Sequence, residues 1–135
     1  MDVKWAYLLS RLAIGLSFFG HGLVRLPKLD GFSNWMMGQF QKSMLPDFIV
    51  EPFSYILPVA ELIVGILLLL GLFTRQALIG GSIVMISLIF GSSMIEEWGS
   101  IPSQLIHAAF FSGLLVFVNA YNSFAIDNLF NTNKI

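Results

Sequence analysis

Two stretches of this chain, Ala77–Ile95 and Gly99–Ile126, contain no Asp, Glu, Lys or Arg, and a third, Phe53–Phe73, contains only Glu61. A helix needs roughly 20 mostly apolar residues to cross about 30 Å of hydrocarbon, and each stretch is long enough. Only 11% of the 135 residues are charged, whereas about a quarter is usual in a soluble domain. A soluble fold would have to hide all three runs in a core that so small a chain cannot build. A fourth apolar run, Val3–Leu26, has Lys4 and Trp5 as interfacial anchors and Pro27 near its stop. It carries Arg11 and His21 and shows no small-residue cleavage pattern, so it reads as a permanent span and not as a signal peptide. The sequence therefore predicts an all-α integral membrane protein, one domain over residues 1–135. Its spans fall near 3–26, 53–73, 76–96 and 101–120, and the short connections make them an antiparallel four-helix bundle.

The segment Pro27–Pro52 is too polar and broken to span, yet too apolar for an idle loop. Phe32, Trp35, Met36 and Phe40 share one helical face, Ser33 is placed to cap that helix, and Pro46 follows its end. The pattern predicts a short amphipathic interfacial helix. We read it as a surface anchor before a lid, because an apolar face measures burial and not gating. Four spans put both termini on one side with Arg75. Lys4, Arg11, Arg75 and Lys134 then lie toward that side, against Arg25, Lys28 and Lys42 on the other. This excess points to a multi-pass protein of the inner (cytoplasmic) membrane with both termini cytoplasmic.

The net charge of −1 offers nothing to nucleic acid, and the absence of cysteine excludes disulfides and thiolate metal sites. The informative residues are those that cost most inside a bilayer, where an ionisable side chain needs a partner. Arg11, His21, Glu61 and His107 are of this kind, with Gln104 as a polar companion one turn before His107. Helical rise places Glu61 roughly 12 Å, and His21 and His107 about 7 Å, below the same surface. Glu61 is then within reach of Arg11 from one side or His21 from the other. An Arg11–Glu61 pair would fix helix register, a reading preferred to a proton relay through His21. Arg11, Gly15, Phe18 and Gly22 share a face of the first helix, Gly65 lies one turn from Glu61, and Gly80, Ser87 and Gly91 share a face of the third span. Such glycines allow close helix contact. Two histidines at one depth raise a haem reading, but no further cue accompanies them and haem is not expected. No metal-ligand spacing is present, so no metal is expected either.

The chain resembles the DoxX-like family of small four-helix membrane proteins over nearly its whole length. The resemblance rests on Arg11-Leu12, Gly15 and His21-Gly22, then on Glu61-Leu62 and Gly65 leading to Leu70-Gly71-Leu72-Phe73-Thr74-Arg75. Phe124-Ala125-Ile126-Asp127 is similar to the family's ending, although Ala125 stands for the usual serine and the preceding glycines are missing. Thr74 and Arg75 form the family's motif turn. The resemblance implies an accessory subunit of a membrane redox complex that handles a quinone. His21, Gln104 and His107 are the candidate headgroup contacts, with Glu61 deeper. Without a cofactor motif or a thiol the chain is not expected to catalyse redox chemistry alone, and no catalytic residue is legible. Its expected partners are the lipid bilayer and other membrane subunits. The alternative is a non-catalytic anchor or assembly subunit. A small-molecule transporter is the weakest reading, since no internal repeat or broken-helix pair is visible.

Overall fold

A computed structural model describes residues 1–131 of the chain; Lys134, counted above among the charges of the terminal side, lies outside them. The elements are α1 (Asp2–Arg25), a single 3₁₀ turn (Leu26–Lys28), α2 (Leu29–Phe40), α3 (Asp47–Leu70), α4 (Thr74–Met94), α5 (Ile101–Tyr121) and the short α6 (Asp127–Phe130). Helices α1, α3, α4 and α5 are long and apolar enough to cross a membrane. They close into a ring in which α1 packs on α3, α3 on α4, α4 on α5, and α5 back on α1.

The distribution of polarity is inverted relative to a soluble protein. Arg11, Glu61 and Thr74 are buried, while Leu16, Ile56, Ile83, Ile86 and Val116 are exposed. Lipid offers apolar side chains a solvent as good as the interior, so helix association depends on close packing and on satisfying the few polar groups. The α1–α3 seam shows this. A Cβ added at Gly65 would lie 2.6 Å from the Phe19 Cα, and one at Gly22 would lie 2.6 Å from the Leu62 amide nitrogen. On α4 the tightest glycine is Gly81, seated against the Phe111 ring, whereas Gly80 and Gly91 meet Val64 and Phe40 more loosely.

The interfacial segment forms α2, which packs on α3 through a second apolar cluster of Met36, Val50 and Leu57. Ser33 is not the cap expected from sequence. It lies buried inside α2 and accepts a hydrogen bond from the Ser54 hydroxyl on α3 at 2.6 Å. Helix α3 starts at Asp47, six residues before the expected start at Phe53, and runs through Pro52 and Pro58. Proline removes one ladder hydrogen bond each time, a loss that membrane helices tolerate when neighbours re-satisfy the backbone.

The opposite end of the bundle is stapled by the C-terminal peptide. Gly71 ends α3 in the left-handed conformation (φ 66°), with Leu72 N–H donating to Leu67 O and Gly71 N–H to Leu68 O. This is a Schellman ending that glycine adopts without strain. Phe73, also left-handed, precedes α4, and the Asp127 carboxylate accepts the Phe73 and Thr74 amides at 2.6 and 2.9 Å. A carboxylate from a distant part of the chain thus caps α4 and faces the positive end of its dipole. Asp127→Ala is expected to cost about 1–2 kcal/mol. The loss would appear as a lower thermal midpoint in detergent, with Asp127→Asn intermediate because one amide keeps its acceptor.

Candidate functional site

The five ionisable or amide side chains singled out in the sequence separate into two places. Arg11 belongs to the stapled end. Its guanidinium donates to the Asn122 side-chain oxygen and, at 2.7 Å, to the Phe124 carbonyl, and Asn122 in turn donates to the Thr74 hydroxyl at 3.1 Å. Arg11 therefore ties α1 to the end of α5 and the start of α4. The expected Arg11–Glu61 pair does not form, because antiparallel packing sets Arg11 beside Gly71, ten residues from Glu61 along α3. That separation is about 15 Å of helix. Thr74 is fully buried within this network, and Arg75 is exposed beside it.

Glu61 is paired instead with Arg25, Nη1 to Oε2 at 2.7 Å, and the guanidinium also lies over the Phe32 ring, 4.6 Å from its centroid. From sequence, Arg25 is only one of the basic residues on the side away from the termini. It lies in the last turn of α1 at the level where α3 carries Glu61, so Glu61 sits near the mouth of the bundle and not below the histidines.

His21, Gln104 and His107 are brought together with this ion pair around one cavity of about 320 Å³. Phe18, Phe32, Met36, Phe40, Leu57 and Met85 supply much of its apolar wall, so α2 closes one side of it. The two imidazoles stand edge to face, 6.5 Å between centroids. Ser17 joins them: its carbonyl accepts from His21 Nδ1 at 2.7 Å, and its hydroxyl pairs with His107 Nε2 at 2.9 Å. His107 Nδ1 donates to the Ser103 carbonyl at 2.8 Å. A carbonyl can only accept, so both rings carry their proton on Nδ1 when neutral. Gln104 donates to the Ser92 hydroxyl at 2.8 Å, and its own carbonyl oxygen is buried without a partner. The cavity thus combines an apolar body with a few convergent polar atoms, the usual build of a small-molecule site.

A family model described as DoxX matches residues 6–93. The chain belongs to the DoxX family. The DoxX match runs from α1 into α4 and takes in Arg11, His21, Arg25, Glu61 and Arg75. Gln104 and His107, on α5, and the Asp127 staple lie beyond it. No curated protein and no solved structure matches this DoxX chain. Family and helices together make it a multi-pass membrane protein.

Proposed function

We propose that this DoxX protein is an accessory subunit of a quinone-linked redox complex and that its cavity holds the quinone ring. The observation that carries the reading is the convergence of His21, His107, Gln104 and the Arg25–Glu61 pair on one largely apolar cavity. A quinone needs an aromatic-lined slot, polar contacts at its oxygens and ionisable groups near water for its protons. The chain has no cysteine, and no three His, Cys, Asp or Glu side chains gather to hold a metal among the described residues. The electrons in this reading therefore come from a partner subunit that carries the redox group. We place the complex in the inner membrane with both termini cytoplasmic, from the slight excess of basic residues on that side.

The test is quinone retention. Wild-type protein and the His21→Ala/His107→Ala variant are purified from native membranes in mild detergent and extracted for quinone. Retention near one per chain in the wild type and its loss in a variant of unchanged thermal stability is the expected result. Equal retention in both would remove the histidines from the site. A stoichiometric partner without any redox cofactor in the same eluate would favour the alternative, an anchor or assembly subunit.

A further inference from the structure

We propose that the groove between α1 and α5 holds the hydrocarbon tail of the ligand whose ring lies in the polar cavity; the proposal rests on the quinone reading above. Of the four contacts that close the ring of helices, α1 on α5 is the slightest, and a second cavity of about 370 Å³ opens along it. Ala6, Tyr7 and Ser10 of α1 line it against Phe110, Gly113 and Phe117 of α5. Tyr7 is buried beneath it, with its hydroxyl spent on the Leu114 carbonyl at 3.2 Å. Among the described residues no charged side chain lines this groove, so it suits hydrocarbon and offers no counter-ion to a headgroup.

Groove and polar cavity follow one seam. The cavity takes His21 from α1 and Gln104 and His107 from α5, and the groove begins two residues beyond His107, at Ala109. On α1 the residues that lead from one to the other are Ser17, Ala13, Ser10 and Ala6, which share a helical face at spacings of three and four. All four are small and partly or fully exposed, so a chain that leaves the cavity past the exposed His21 meets no bulky side chain on that face of α1. The Ser17–His107 hydrogen bond crosses the seam at 2.9 Å behind this track and closes the interior to it. The groove also has the girth of a single chain. From Ala109 to Tyr121 α5 advances about 18 Å, so the cavity averages about 20 Å² in section, the width of one extended hydrocarbon chain. A transmembrane helix is about 10 Å across and would ride on the exposed Phe110 and Phe117 rings without entering. Lipid already solvates a free tail, so what the groove adds is packing contact and a fixed direction for the ring.

Gly113 supplies the test. It lies between Phe110 and Phe117 on α5, and a Cβ there meets nothing within 4 Å, so Gly113→Phe fills the groove without moving the bundle. A quinone with a long prenyl tail and a tail-less benzoquinone are each titrated into wild type, Gly113→Phe and Ile83→Phe in one detergent. Ile83 is exposed on α4 and lines neither cavity. Gly113→Phe is expected to weaken the tailed quinone roughly tenfold at an unchanged thermal midpoint and to leave the tail-less ring within about twofold. Ile83→Phe is expected to match wild type for both compounds. Unchanged affinity of Gly113→Phe for the tailed quinone would overturn the tail site and leave the ring site standing. An equal loss for both compounds, or a matching loss in Ile83→Phe, would overturn it as well. Loss of a co-purifying protein from Gly113→Phe, with tailed-quinone affinity unchanged, would give the groove to a partner helix instead. Binding of neither compound to wild type would overturn the ring site and the tail site with it.

Discussion

Gly65→Leu is expected to abolish the folded bundle, with a loss above about 4 kcal/mol, read as failure to recover monodisperse protein in detergent. Inserting bulk into a packed interior ordinarily costs about 1–3 kcal/mol, because side chains rotate away. Here the obstructing atoms are the Phe19 Cα and the Gly15 carbonyl oxygen, 2.6 and 2.9 Å from a Cβ at position 65. Backbone has no rotamer to change, so α1 and α3 must separate. Separation breaks the largest interface of the bundle, and it pulls the Arg25 guanidinium from the Glu61 carboxylate on the same seam. Gly20→Leu is the control. It adds the same side chain on α1, where a Cβ meets nothing within 4 Å, and it is expected to change stability by no more than about 0.5 kcal/mol. If both variants purify equally well, the close α1–α3 contact is not what holds the helices together.

The membrane class, the four spans and the short helix between the first two could be read from the sequence, because all three depend on runs of apolar residues and their spacing. The glycine seam was also visible: Gly15, Gly22 and Gly65 stand where α1 and α3 touch. Pairing of the charges was not. Facing residues on two antiparallel helices have numbers that add to a near-constant value, and Phe19 with Gly65 and Gly15 with Leu69 both give 84. Arg11 then faces the turn after α3, and Arg25 falls opposite Glu61. That constant depends on where α3 begins. Setting the start of α3 at Phe53, level with the end of α1, puts Glu61 too far below the mouth, whereas α3 begins at Asp47 and its first turns project past the end of α1, which brings Glu61 level with the last turn of α1. The stapled end was hidden for a different reason. Asp127 caps α4 across 53 residues of sequence, and such a contact leaves no local spacing to recognise. His21, Gln104 and His107 do meet, because residues at one depth on neighbouring helices have few other places to point.

Arg25→Leu is expected to cost about 3 kcal/mol, whereas Arg25→Leu combined with Glu61→Leu recovers most of that loss. Glu61 is 4% exposed at its side chain and Arg25 is 26% exposed, so the two partners are not equivalent. Removing the arginine leaves a carboxylate inside the bundle without its cation. Removing the carboxylate leaves a guanidinium on the last turn of α1, whose long stem can carry the charge to the interface. Glu61→Leu alone is therefore expected to cost less than Arg25→Leu, although both delete the same bond. The inequality separates a buried charge that needs neutralising from a bond that merely adds stability, since loss of the bond alone would affect both single variants equally. Thermal midpoints of the four proteins in one detergent measure it. The doubly substituted protein carries the further weight: it keeps the bundle while removing the acidic group beside His21. Loss of quinone retention in that stable protein would assign the Arg25–Glu61 pair to the ligand site, and full retention would confine the pair to fixing the register of α1 on α3.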